Sequence, residues 1–132
     1  MSVFGKLFGN SNSKDNLTSN VDWNDLTELK QLDEIVAESA SVPVIIFKHS
    51  TRCGISRMAL KNFEGYYSID AENAKPYFLD LLEHRDISNE IATRFDVVHQ
   101  SPQLILIKNG KAVYTVSHSD IDAVELKEKI TA

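Results

Sequence analysis

The sequence predicts one α/β domain: a central four-stranded mixed β-sheet flanked by helices. Three observations predict it. Segments with apolar residues at helical spacing alternate along the chain with short, nearly unbroken apolar runs rich in β-formers. An Asn109-Gly110 pair separates the last two of those runs, and it is the strongest short hairpin signal because both residues accept positive φ. The composition, 42% hydrophobic and 25% charged over 132 residues, is that of a globular domain large enough to bury a core without a metal or disulfide staple.

Residues 1–20 read as a flexible leader and residues 21–132 as the domain. Ser11 to Asn16 are polar and turn-prone. Ahead of them Val3, Phe4, Leu7 and Phe8 share a helical face, too short and too poor in cations for a stable membrane-surface helix. From Asn24 the spacing predicts a helix carrying Leu26, Leu29, Leu32, Ile35 and Val36. Val42 to Phe47 is the first strand, nearly all apolar as befits a strand covered on both faces, with Pro43 at its start. After Thr51 comes a helix that turns Ile55, Met58, Ala59 and Phe63 inward and ends at Gly65.

Tyr77 to Leu82 is the second strand. Ser88 is the expected cap of a helix bearing Ile91, Ala92 and Phe95. Pro102 opens the third strand, Leu104 to Ile107, and the hairpin returns through Ala112 to Val116. Ser119 starts the last helix, with Asp120 and Asp122 at the positive end of its dipole. Strands joined through helices are expected to be parallel with right-handed crossovers, and the hairpin pair antiparallel.

Several function classes recede. A net charge of −5 opposes a nucleic-acid binder, which would carry a basic face. No unbroken apolar run is longer than that of Leu104 to Ile107, far short of the ~20 residues that span a bilayer, so no membrane partner is expected. One cysteine excludes an intramolecular disulfide and denies a zinc site its usual thiolate cluster; no metal is expected. Met1 to Asn10 carry one lysine and no apolar stretch long enough for a secretory signal, which makes the reducing cytoplasm the expected location.

The chemistry concentrates at Cys53, directly after a buried strand and directly before a helix. The first N–H groups of a helix lack internal acceptors and carry partial positive charge, so a thiolate there is stabilised. The competing reading is a buried structural cysteine. Its polar neighbours Ser50, Thr51, Arg52 and Gly54 oppose that. Ser56 lies one helical turn on, where a dithiol enzyme would hold a resolving cysteine. Serine forms no disulfide, so the chemistry is monothiol; its hydroxyl either donates to the thiolate or is that of an ordinary early-helix serine.

Pro102 after Ser101 is either a plain strand-opening trans proline or a cis one placed for geometry. Lys48 and His49 end the first strand near the thiol, and His49 is either a proton carrier or a solvated loop residue. His84, His99 and His118 lie scattered, without ligand spacing.

This element order, with a lone cysteine after the first strand and a proline opening the third, is that of the thioredoxin-like fold. The stretch Val42-Pro43-Val44-Ile45-Ile46-Phe47-Lys48-His49-Ser50-Thr51-Arg52-Cys53-Gly54-Ile55-Ser56 resembles the monothiol bacilliredoxins of the bacillithiol system. Ser101-Pro102-Gln103, Lys108-Asn109-Gly110 and Ser117-His118-Ser119 agree with it, and the similarity spans about Trp23 to Ile130.

The resemblance implies removal of bacillithiol, a small thiol used in place of glutathione, from client proteins that carry it as a mixed disulfide. It implies Cys53 as nucleophile, with Thr51, Arg52, Gly54, Ser56 and the Ser101-Pro102 loop around the bound thiol. In this fold that loop lies beside the nucleophile, and the Ser101 backbone pairs with an extended substrate. Bacillithiol enters as a co-substrate; no tightly bound cofactor is implied.

One departure keeps alternatives open. Gly54 stands where these proteins often have proline, and Cys-Gly-Ile-Ser is similar to the Cys-Gly-Phe-Ser of monothiol glutaredoxins, some of which carry iron–sulfur clusters. Their Gly-Gly-x-Asp helix start is absent, Ser117-His118-Ser119-Asp120 taking its place. An iron–sulfur carrier and a non-catalytic thioredoxin-like binding module are the competing readings.

Overall fold

Strand β2, Val44–His49, is buried along its whole length. Alternation of its side chains explains why it is apolar on both faces. Ile45 and Phe47 join one core with Ala59, Phe63, Ile121 and Leu126, whereas Val44 and Ile46 join a second with Leu32, Ile35, Ile87 and Ile91. The computed structural model, which describes residues 20–131, thus places helices on both sides of one sheet. The expected leader lies outside those residues except for Asn20.

In chain order the elements are β1 (Asn24–Asp25), α1 (Lys30–Glu38), β2, α2 (Gly54–Tyr66), β3 (Lys75–Asp80), α3 (Arg85–Arg94), β4 (Gln103–Lys108), β5 (Lys111–Ser117) and α4 (Ala123–Thr131). A 3-10 turn at His118–Asp120 separates β5 from α4, so the last helix begins later than Ser119.

The sheet has five strands rather than four, ordered β1-β3-β2-β4-β5. The added edge strand is the segment expected to open the first helix: Asn24 and Asp25 pair parallel with Tyr77 and Phe78. Its helical spacing misleads because Leu26 is drawn into the core behind the strand, whereas Leu29 stays 44% exposed. In the first turn of α1 the Gln31 side chain turns back, its Oε1 accepting from the N–H groups of Thr27 and Glu28 at 2.7 and 2.9 Å.

Two smaller corrections concern helix limits. Helix α2 runs through Gly65 to Tyr66. Ser88 lies inside α3, buried, while His84 occupies the cap position.

Strands β2 and β3 are parallel, as expected, with His49 opposite Asp80. The third helix-linked strand departs from the expectation: β4 runs antiparallel to β2, Lys48 opposite Gln103. Helix α3 and residues 95–102 therefore leave and return to the same end of the sheet. The ends of β2 and β3 and the start of β4 meet there.

The β4–β5 hairpin is antiparallel, and Asn109 and Gly110 take the positive φ values that the turn requires, 52° and 78°. Ser39 braces that turn, its carbonyl accepting from Asn109 N–H and its hydroxyl from Gly110 N–H, each at 2.8 Å. On the α2 side Trp23 closes the core. Its ring centre lies 5.9 Å from Phe47 and Phe63 and 5.6 Å from Phe78, and its indole N–H donates to Glu64 at 2.7 Å.

Candidate active site

After His49 the chain turns through residues 50–52 and enters α2. Cys53 is the residue before the helix, in extended conformation with φ −105° and ψ 120°. Its N–H donates to Ser50 O at 3.2 Å and its carbonyl accepts from Arg57 N–H at 3.0 Å, so the turn and the first helical bond converge on it. The Arg57 guanidinium folds back to Thr51 O at 3.2 Å and ties the turn from the helix side. The Cys53 thiol is unpaired and half-buried, at the end of α2 where backbone N–H groups lack helical acceptors. Thr51, Arg52 and Gly54 around it are exposed. Chain neighbours aside, a Cβ at Gly54 would meet nothing closer than Arg57 at 3.8 Å, so the helix start is open at Gly54.

Ser56 stands one turn further and is fully buried. Its Oγ lies 2.7 Å from His49 Nδ1 and accepts from Ser50 N–H at 3.1 Å. The assignment that satisfies all three groups has Ser50 N–H donating to Ser56 and Ser56 O–H donating to His49. The hydroxyl therefore fastens the first turn of α2 to the end of β2.

His49 is no solvated loop residue: it is 5% exposed, with Phe78 5.5 Å from its ring. Burial pushes its pKa below the ordinary histidine value. Asp80 and Glu64 oppose that shift, and Arg57 adds to it. The ring is neutral at pH 7.

On the opposite face of β2, Lys48 is fully buried and bonds through Nζ to His99 Nδ1 at 2.7 Å. Burial holds its pKa down to about 8. Burial and the Lys48 charge in turn hold His99 below its ordinary value, leaving a neutral acceptor. This Lys–His bond anchors residues 98–102 to the strand that carries the thiol turn. Sequence reading passed it over; the available signal was a lysine inside an otherwise apolar, doubly covered strand.

The Ser101-Pro102 peptide is cis. Its place follows from the Lys48–Gln103 register, which sets it at the sheet end where the Cys53 turn begins. Pro102 O accepts from His118 N–H at 3.0 Å, and the Gln103 side chain donates to Val98 O at 2.9 Å and to Thr115 at 3.2 Å. Ser101 Oγ is buried without a hydrogen-bond partner. Of the residues singled out in the sequence, the thiol turn and this loop thus share one end of the sheet.

Ile55 and Met58 were expected in the core and are instead 57% and 67% exposed. The inward face of α2 is Ser56, Ala59 and Phe63, so Ala59 and Phe63 are buried as expected and Ser56 takes the place expected of Ile55. Ile55 and Met58 line an apolar groove of about 270 Å³ with Asn62, His118 and Ile121.

The model of the family described as monothiol bacilliredoxin BrxC matches residues 24–126. The chain belongs to the monothiol bacilliredoxin family. It is a monothiol thiol-disulfide oxidoreductase, and its one cysteine is consistent with that chemistry.

Among solved structures the bacilliredoxin is similar to one described as an oxidoreductase with a thioredoxin fold: 29% identity, 79% of this chain and 89% of that one covered, TM-score 0.66. It is also similar to the thioredoxin of Malassezia sympodialis, at 22% identity, 86% and 91% covered, and TM-score 0.66. The thioredoxin of Fasciola hepatica is similar at 19% identity, 82% and 96% covered, and TM-score 0.61. The last two likenesses establish the thioredoxin fold. Among the described residues no helix is long and apolar enough to cross a membrane, and no cluster of three or more His, Cys, Asp or Glu side chains is placed to hold a metal ion.

Proposed function

We propose that Cys53 is the nucleophile and that the enzyme removes bacillithiol from client proteins carrying it as a mixed disulfide. One observation carries the reading: the single thiol is half-buried at the start of α2, and the position a resolving thiol would take is filled by a buried, hydrogen-bonded serine. Cys53 thiolate attacks the bacillithiol sulfur. One S–S bond breaks and one forms, the client leaves as a thiolate, and bacillithiol stays on Cys53. A second small thiol then attacks that disulfide, regenerating Cys53 and carrying bacillithiol away as a disulfide. Neither half-step changes the number of disulfides. Thr51, Arg52, Gly54 and the Ser101-Pro102 loop border the bound thiol, and Ser56 sets the pitch of the turn through His49.

The activity resides in residues 21–132, with residues 1–20 as a leader, and a reducing cytoplasm suits a catalytic lone thiol. The test is a purified client carrying bacillithiol, mixed with the enzyme and followed by mass. Wild type restores the reduced client, and Cys53→Ala leaves the adduct in place. Restoration at the wild-type rate by Cys53→Ala would reject the mechanism.

A further inference from the structure

Beside the thiol turn lies a crevice of about 300 Å³ walled by Thr51, Arg52, Asp80, Leu82, Glu83 and Arg85. It opens at the carboxyl ends of the parallel strands β2 and β3, where His49 and Asp80 face each other in register. That is where open α/β sheets hold small ligands. Arg52 is the neighbour of Cys53 in the chain, with its Cα about 3.8 Å from that of Cys53. The crevice wall therefore begins at the residue that directly precedes the thiol-bearing one.

The walls carry charge of both signs, and the arginines are unequal. Of the four arginines in the chain, Arg57 is held by Thr51 O and Arg94 by Asp33 and Glu90. Arg52 and Arg85, both on the crevice, have no hydrogen-bond or ion-pair partner among the described residues. The Glu83 carboxylate likewise has none, and the Asp80 carboxylate accepts a single bond, from Leu82 N–H at 3.2 Å. Two uncommitted guanidinium groups suit a carboxylate, and two carboxylates suit an ammonium group. The volume is that of a small ligand. The groove lined by Ile55 and Met58 is mostly apolar, and no arginine, lysine, aspartate or glutamate lines it.

We propose that this crevice is the subsite for the small thiol, and that it selects thiols bearing both a carboxylate and a free amine. Arg85 with Arg52 receives the carboxylate; Glu83 with Asp80 receives the amine. The inference rests on Cys53 being the nucleophile and adds residues from β3 and α3 to the site. The bond exchange is unchanged: the zwitterionic thiol moves from client sulfur to Cys53 sulfur, and the client departs as thiolate.

The experiment uses the full chain and one reporter client prepared as four mixed disulfides: with cysteine, cysteamine, mercaptopropionate and mercaptoethanol. These carry both groups, the amine alone, the carboxylate alone and neither. Client release is measured under steady-state conditions, and each rate is divided by that of the same disulfide with free dithiothreitol. The expected order places cysteine first and mercaptoethanol last. Arg85→Gln reduces the preference for carboxylate-bearing over carboxylate-free disulfides by about tenfold, the loss of one charged hydrogen bond, and the change lies in KM. Glu83→Gln does the same to the preference for amine-bearing disulfides. Arg94→Gln, on the same helix but engaged elsewhere, keeps both preferences. Equal normalised rates for all four disulfides in wild type would overturn the subsite, as would Arg94→Gln matching Arg85→Gln. Failure of all four thiols to appear on Cys53 by mass would instead overturn the nucleophile assignment on which the subsite rests.

Discussion

Lys48 offers a sharp physical test because a fully buried ammonium group opposes the fold that contains it. Its pKa, lowered from 10.5 to about 8 by burial, corresponds to about 3 kcal/mol of unfavourable desolvation at neutral pH. Lys48→Met keeps most of the side-chain volume and removes the charge. The variant gives up one hydrogen bond to His99, worth about 1 kcal/mol, and water replaces it because His99 is exposed. The expected net effect is stabilisation by about 1–2 kcal/mol, read as an upward shift of the urea midpoint with unchanged slope.

A pH signature accompanies the shift. Above pH 8 the folded protein releases the Lys48 proton while the unfolded chain keeps it up to pH 10.5, so the Lys48 contribution to wild-type stability rises across that window. Measurement stops near pH 9.5, because Tyr67 and Tyr114 have raised folded values and act in the opposite direction once the unfolded tyrosines ionise. The difference between wild type and Lys48→Met should therefore shrink from pH 7.5 to 9.5. A variant less stable than wild type with a difference independent of pH would refute the reasoning.

Other outcomes follow from named contacts. Ser56→Ala strips partners from the buried His49 Nδ1 and the half-buried Ser50 N–H, and is expected to cost about 1–3 kcal/mol in urea unfolding. Gly110→Ala forces a side chain onto φ +78° with its Cβ 3.3 Å from Val36; about 1–2 kcal/mol should be lost, seen as a lower melting temperature. His49 and His99 both have folded pKa values below the unfolded 6.5, so their stabilising contribution is present above that pH and lost as pH falls through the folded values. The urea midpoint should drop between pH 7 and pH 5, and the drop should be smaller in His49→Gln.

The sequence made the scaffold readable where a residue's chemistry allows few conformations. Asn109-Gly110 named the hairpin because few pairs accept two positive φ values, and the apolar run of β2 named a strand covered on both faces. Cys53 was legible from its place between such a strand and a helix. The β1 edge was not. Two residues make too short a strand to show a period, and Leu26 satisfies helix and strand templates equally. The start of the α2 inward face was misread because Ser56, a polar residue, takes a core position that its bonds to His49 and Ser50 make tolerable. The Lys48–His99 bond and the Arg85 wall join residues far apart in sequence, through a strand register that no local pattern encodes.

The most direct measurement follows the sulfur itself. A client labelled with bacillithiol is mixed with a slight excess of the enzyme, quenched with acid at short times, and both proteins are weighed intact and after digestion. The account predicts that each client freed leaves one bacillithiol on the peptide containing Cys53, in equal amounts until a second thiol is added. Client freed with no adduct appearing on Cys53 at any time would contradict it.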